Sequence, residues 1–357
     1  MGGIRPNRRV WAVGLAGVVA MLAGGIVQGQ NAPQKPAAAS AAQPAGKELP
    51  VIKVPIPGEA AEGYFSPDGK SIICNAKMAD DKEFQVYTFN VDGTNVKRIN
   101  DKGADACSFY YPDGKHLIWT STRDNLDMKP GSYSDANDYP QGAELYTSDL
   151  DGKNVVRLTT NRVYDAEVTV SPDGKWILFG RQTDGKMDLY KMRPDGSDLF
   201  QITHTPDWQE GGARWMPDGQ TIIYRAWKIQ DQNQRGMPMQ IFTIKPDGTE
   251  MKQITSEIGT NWAPAPAPDG RHFVFVKMLP PRNFEIFMMD LVSGEQKQLT
   301  FNDAFDGFPD ISPDGHWMGF SSSRGAKPGE RSMFMYLMDI SSLNVGPGKK
   351  SGLGGRR

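Results

Sequence analysis

Cysteine and histidine are scarce in this 357-residue chain, with two of the first and four of the second. Cys74 and Cys107 leave two readings, a bridge formed in an oxidising compartment or two small buried hydrophobes. Neither lies near residue 29, where an export signal would end, which excludes lipid attachment to an N-terminal cysteine. His116, His204, His272 and His316 show no metal-ligand spacing, and three of them follow a Pro-Asp-Gly turn within two residues. A formal net charge of -2 offers no attraction to nucleic acid. The Gly-x-Ser-x-Gly elbow, the phosphate loop and the Gly-x-Gly-x-x-Gly run are all missing. Nucleophilic and nucleotide chemistry therefore have no motif. The expectation is no catalytic residue, no metal and no cofactor. Asp124, Asp127, Asp135, Asn137 and Asp138 carry oxygen enough for calcium but lack the spacing of a calcium loop, so they read as a solvated acidic loop.

What the chain does have is a repeated turn. Ser66-Pro67-Asp68-Gly69 returns as Pro-Asp-Gly at Pro112, Pro172, Pro217, Pro268 and Pro313, spaced 45, 60, 45, 51 and 45 residues apart. Proline presets φ, aspartate bonds its own backbone two residues on, and glycine supplies positive φ, so the tripeptide is a turn with a mechanism. Short apolar runs flank each one. A second turn comes later in the repeat at Asp92-Gly93, Asp151-Gly152, Asp195-Gly196, Asp247-Gly248 and Ser293-Gly294. Two hairpins per repeat make four strands, and six such repeats predict an all-β fold, a six-bladed β-propeller of four-stranded antiparallel blades over residues 48–343. The fourth strand recurs most plainly, as Val156-Arg157-Leu158-Thr159, Phe200-Gln201-Ile202-Thr203, Lys252-Gln253-Ile254-Thr255 and Lys297-Gln298-Leu299-Thr300. The sixth repeat has none, while residues 49–54 form a strand with no hairpin of its own. Placing that strand outermost in the last blade closes the ring, suits Pro50 and Pro55, leaves no open array edge and predicts a monomer.

Residues 1–29 read as a signal peptide, with Arg5, Arg8 and Arg9 before an apolar run at 10–27 and small residues ending at Gly29. An uncleaved anchor is the other reading of that run, against which its four glycines count. Residues 30–47 are a flexible Ala/Pro-rich linker, and 344–357 a disordered Gly/Lys/Arg tail. The mature protein is expected to be periplasmic or secreted, with no stable membrane span after signal cleavage.

Six Ser/Tyr/Met/Ala-Pro-Asp-Gly repeats, with four fourth strands ending Leu/Ile-Thr behind an export signal, resemble the TolB-like six-bladed β-propellers of bacterial envelopes. The resemblance covers residues 48–340. It implies an envelope protein or glycan as partner and no nucleic acid. Related blades occur in peptidase propellers and in polysaccharide lyases, so the motif speaks to fold more than to function. The chain departs from TolB itself in showing a low-complexity linker where that family carries an α/β domain.

Strand direction places the Pro-Asp-Gly and Asp-Gly turns on one face and the remaining loops on the other, where they lengthen at 123–143, 225–239, 278–283 and 324–332. Long loops on a rigid scaffold are the expected binding face. Seven residues before each aligned proline stand Ala60, Asp105, Asp165, Glu210, Asn261 and Asp306, opening the innermost strands. One reading makes them a negative collar around the channel mouth that meets a cationic or hydroxyl-rich ligand. The other has each carboxylate accept backbone N–H bonds in its own inter-blade turn. Arg225, Trp227 and Trp262, with Tyr133, Tyr139, Arg235 and Arg282, add the residue types of recognition surfaces. The function expected is a non-catalytic binding propeller. The alternative is a carbohydrate-active hydrolase or lyase using channel-mouth carboxylates.

Overall fold

In the computed structural model, residues 47–234 and 236–348 are described. The expected signal peptide, nearly all of the linker, Arg235 and the last nine residues of the expected tail lie outside them.

Each Ser-Pro-Asp-Gly turn is built as its residues dictate. Ser66 N donates to Ser71 O, Gly69 N to Ser66 O (both 2.8 Å), and the Asp68 carboxylate accepts from Ser66 Oγ (2.7 Å) and Lys70 N (3.1 Å). Those bonds hold the Asp68 carboxyl below its usual range. Gly69 takes φ 70°, which a Cβ would resist. The strands joined by these turns form six four-stranded antiparallel sheets, with two short 3-10 turns and no α-helix among the described residues. In blade 1 the strands run Glu59–Phe65, Ser71–Lys77, Gln85–Asn90 and Lys97–Arg98 from the axis outward. Blades 2 to 5 repeat that order.

The sixth blade takes Asp306–Ile311, Trp317–Ser322 and Phe334–Asp339 from the end of the chain, and its outer strand, Val51–Lys53, from the start. Val51 lies opposite Met338. Arg324 clasps the closure by donating to Glu48 Oε1 at 2.9 Å and to Asp306 Oδ2 at 2.6 Å. The ring is closed as expected.

The recurring fourth-strand threonine has a specific job. Thr159, Thr203, Thr255 and Thr300 each accept, through Oγ1, a backbone N–H from their blade's third strand, from Leu145, Leu189, Ile241 and Ile286 at 2.8–3.0 Å. A fourth strand of two or three residues leaves that donor unpaired otherwise. Blade 1 has Asn100 at this place, and there Val86 N donates to Asp105 Oδ2 instead, at 3.0 Å. Between blades the apolar faces meet: Ile73 and Val86 of blade 1 pack on Leu117, Trp119 and Tyr146 of blade 2. Each such side chain stabilises the ring by roughly 1.5–3 kcal/mol when fully buried. Past the last strand Val345 is buried, and its carbonyl accepts from Asp269 N at 3.1 Å. Both cysteines are free thiols, Cys74 buried and Cys107 half-buried.

Candidate functional site

The collar position is where one blade is joined to the next. Ala60, Asp105, Asp165 and Asn261 donate their backbone N–H to Met333, Phe84, Ala143 and Met239 of the preceding blade at 2.9–3.0 Å. Their side chains and those of Glu210 and Asp306 are buried. Asp165 receives a two-pronged bond from Arg181 at 2.7 and 2.8 Å and another from Asn161 at 2.6 Å. Asp306 is held by Arg324 and Asn302, Asp105 by Asn100 and Val86 N, and Glu210 by Thr205. Burial pushes the Asp105 and Glu210 carboxyls up to about 7, and raises Asp306 against the pull of Arg324. Burial thus fits the joint-fastening reading of these six positions rather than the solvent-facing one. These side chains fasten joints, and Asp105 also borders a cavity on the blade 1–2 side.

The physical reason is a β-bulge in every innermost strand. Register shifts between Ala61 and Tyr64, Ala106 and Phe109, Ala166 and Thr169, Gly211 and Arg214, Trp262 and Ala265, and Gly307 and Asp310. The residue inside each bulge has positive φ: Glu62 53°, Cys107 45°, Glu167 56°, Gly212 57°, Ala263 50° and Phe308 53°. An extra residue re-aims the side chains beside it, so those at the mouth of the channel stand five before each proline. Three of them, Glu62, Cys107 and Glu167, are polar and ionisable.

Glu62 Oε2 accepts from Asn75 Nδ2 at 2.7 Å and from Cys107 N at 3.3 Å. Burial pushes the Glu62 carboxyl up to about 7, and the charge of Glu167 adds to that. Burial and the neighbouring Glu62 also lift the Cys107 thiol well above its ordinary value. Glu167 Oε1 accepts from Arg225 and Oε2 from Gly212 N, both at 2.5 Å. A side chain at Gly212 would collide with the Arg225 guanidinium, so glycine there is what lets the pair form. Two residues deeper, Arg214 reaches across from blade 4. Its guanidinium lies 4.8 and 4.9 Å from the ring centroids of Tyr64 and Phe109 in blades 1 and 2, and it donates to Asp310 Oδ1 of blade 6 at 2.7 Å. The channel mouth is therefore a funnel with a floor.

Its walls are the long loops. Residues 122–143 of blade 2 meet residues 229–234 of blade 4 over blade 3, where Asn137 bonds Asn233 at 3.0 Å and Gln232 at 2.9 Å. Tyr139 stacks on Tyr164 at 4.1 Å, and Tyr133 Oη donates to Ala104 O at 2.9 Å. The open side, between blades 1 and 2, is a cavity of about 580 Å³ bordered by Glu62, Cys107, Glu167, Gln85, Leu126 and Tyr133 among others. Arg225, Trp227 and Trp262 border a smaller cavity beside it, of about 100 Å³. Trp227 is buried with Nε1 on Gln232, and Trp262 packs edge-on to Phe308 at 4.9 Å. Loops in blades 2, 4 and 6 are long as expected. In blade 5 the strands pair out to Leu279 opposite Asn283, leaving a tight turn at Pro280-Pro281-Arg282. Three histidines sit on the short-turn face, each on an aspartate of its own turn, as His116 does on Asp113 at 2.6 Å.

No family model matches the chain. It is 24% identical over 222 residues to an uncharacterized protein of Agrobacterium fabrum, covering 60% of this chain and 69% of that one. It is 27% identical over 154 residues to a TolB homolog of Chlorobium luteolum, covering 43% of this chain, and the match spans only 33% of that relative's length. Among solved structures, a putative TolB from Agrobacterium tumefaciens superposes with TM-score 0.58 at 20% identity, over 81% of this chain and 96% of that one. An oligogalacturonate lyase in complex with manganese gives TM-score 0.53 at 15% identity over 82% and 93%. At such identities the structural likeness speaks for the fold alone.

Proposed function

We propose that this TolB-like six-bladed propeller is an exported binding protein that holds a segment of an envelope protein in the funnel on its long-loop face. The observation that carries this reading is the funnel itself, a cavity of about 580 Å³ on a closed ring, bordered by the bulge residues Glu62, Cys107 and Glu167. Concave, largely preformed sites with a few convergent polar groups are where ligands bind. A protein segment is favoured over a glycan because the aromatic rings that would stack on a sugar are spent on packing, as in Tyr139 on Tyr164. Leu126, which is 61% exposed, and Met128 on the wall suit apolar side chains of a peptide. Export rests on the basic and apolar start of the sequence. Among the described residues no helix is long and apolar enough to cross a membrane.

The test is capture from envelope extract by the wild type, by Ser134→Trp, which fills the mouth, and by Ser197→Trp on the short-turn face. The expected result is one partner retained by the wild type and Ser197→Trp and lost by a folded Ser134→Trp. Retention by all three would overturn the reading.

A second reading, a hydrolase or lyase acting on carbohydrate, is favoured by one observation. Glu62, whose carboxyl titrates near neutrality, shares a cavity with Glu167, which is paired with Arg225. Carboxylates in unlike environments are how one site supplies both an acid and a base. Incubation with oligogalacturonides and other acidic oligosaccharides separates the two. Turnover that disappears in Glu62→Gln supports the enzyme, and no product with any substrate supports the binder.

A further inference from the structure

We propose that the blade 1–2 side of the funnel is a subsite for a cationic side chain, the guanidinium or ammonium of an arginine or lysine on the bound segment, received by Glu62. This rests on the reading of the funnel as a protein-binding mouth and names what the mouth recognises. Charge is the first argument. Of the acids bordering the cavity, Glu62, Asp80, Glu83, Asp101 and Asp105 have no ion-pair partner among the described residues, although Asp105 is held by Asn100 and Val86 N, whereas Glu167 has Arg225. Of the bases, Arg98 is taken by Asp81 at 3.1 Å and Lys129 by Asp138, which leaves Lys82. The cavity is therefore negative where it is uncompensated, and a cation entering it gains while an anion is repelled.

Unused acceptors are the second, independent argument. Asn75 and Gln85 are both more than nine-tenths buried and both border the cavity. Each spends its amide N–H on the protein, Asn75 on Glu62 at 2.7 Å and Gln85 on Gly103 O at 2.6 Å. Each leaves its amide oxygen, Asn75 Oδ1 and Gln85 Oε1, without a donor. A buried acceptor left unmade costs free energy that a ligand donor restores. Asn75 sits on the Glu62 head, so its oxygen and the Glu62 carboxylate offer acceptors side by side, while Gln85, paired with Ala76, lies on the other face of blade 1 and adds an acceptor elsewhere on the lining. Such a set is the complement of a guanidinium, which has five N–H donors and no acceptor. Asn75 fixes the Glu62 head, and the backbone N–H of Cys107 braces the same oxygen from blade 2. The groups facing Glu62 are Glu167, Arg225, Cys107 and Tyr64. Arg225 is committed to Glu167, so it does not fill the place.

The experiment is ligand-observed NMR titration of the full chain with N-acetyl-arginine amide, N-acetyl-lysine amide and the neutral N-acetyl-citrulline amide, which keeps the shape of arginine without its charge. The expected result is binding of the two cations, weakened severalfold between low and about 0.3 M salt, and binding of the citrulline compound weaker by about tenfold or more. Glu62→Gln, checked for folding by its melting curve, is expected to lose about tenfold for the cations and nothing for citrulline. Citrulline binding as tightly as arginine, salt-independent binding, or a folded Glu62→Gln that binds arginine like the wild type would each overturn the proposal. So would no binding of any of the three compounds at about 10 mM, an affinity below that expected of even one good charge-assisted contact. The comparison of arginine with citrulline needs no variant, so the test survives a Glu62→Gln chain that fails to fold. If the subsite fails while Ser134→Trp still abolishes partner capture, the mouth remains the binding site and only the identity of what enters it is wrong.

Discussion

Arg214 spans the channel from blade 4 to blades 1, 2 and 6, and its removal is the perturbation from which the structure predicts most. Arg214 and Asp310 are 14% and 8% exposed, so the pair is largely dry. Arg214→Met keeps the length and the apolar contact with Tyr64 and Phe109 but leaves Asp310 charged and buried, with only Phe65 N, at 2.9 Å, to satisfy it. Breaking one side of a buried pair costs roughly 3–5 kcal/mol, and the two ring contacts add about 0.5–1 kcal/mol each. In a ring of this size the total, about 4–7 kcal/mol, is expected to lower the melting temperature by roughly 6–11 °C. The double variant Arg214→Met/Asp310→Asn removes the stranded charge and is expected to recover most of that loss, because a buried pair contributes little beyond its own desolvation. Thermal melts of the wild type, both single variants and the double variant close a cycle whose coupling is expected to exceed about 1.5 kcal/mol. A single variant that loses less than about 1 kcal/mol, or a double variant whose loss equals the sum of the singles, would show that Arg214 does not bridge the blades.

Other perturbations probe the same geometry. Ala263→Gly relieves a left-handed alanine (φ 50°) in blade 5 and is expected to raise stability by about 0.5–1 kcal/mol, read as a small upward shift of the melting point. Thr255→Val keeps the volume but strands Ile241 N, now 2.9 Å from Thr255 Oγ1, and is expected to cost about 1–3 kcal/mol and to accelerate hydrogen exchange of the Ile241 amide. Burial lifts the folded-state carboxyls of Glu62, Asp105, Glu210 and Glu285 to about 7. For a raised acid the contribution to stability is full below the unfolded value and is lost as pH rises through the folded one, so melts are expected to occur at lower temperature at about pH 8 than at about pH 5. Glu62→Gln is expected to flatten that slope, and a melting point that rises over this interval would contradict the burial of these groups.

The fold was legible because its signal is local. A Pro-Asp-Gly tripeptide bonds itself, as Asp68 does to Lys70 N, and six of them at near-constant spacing need no tertiary information to be counted. The stray strand at Val51–Lys53 was legible from what the sixth repeat lacks. Arg225, Trp227 and Trp262 were found by residue type and do border the mouth. Glu62, Cys107 and Glu167 were missed, because the position read as the channel mouth was counted seven residues back from each proline and a bulge turns the residues five back toward it. Nothing in glutamate, cysteine or alanine announces positive φ, and of the six equivalent positions only Gly212 hinted at it. Counting five rather than seven residues back from each proline would have found them, and the pair Gly211-Gly212 was the available clue. The acids seven back open the innermost strands as expected from their spacing, but the partners that bury them, Asn100, Arg181 and Arg324, are long or loop side chains whose reach the sequence does not spell out.

Which face of the ring meets the partner decides whether the funnel is a binding site. A photoreactive amino acid placed at Ser134 in the mouth, or at Ser197 on the short-turn face, and irradiated in envelope extract reads that face directly. Binding in the funnel gives a discrete cross-linked product from position 134 and none from position 197. A product from 197 alone would contradict it, and would move the search to the Pro-Asp-Gly turns.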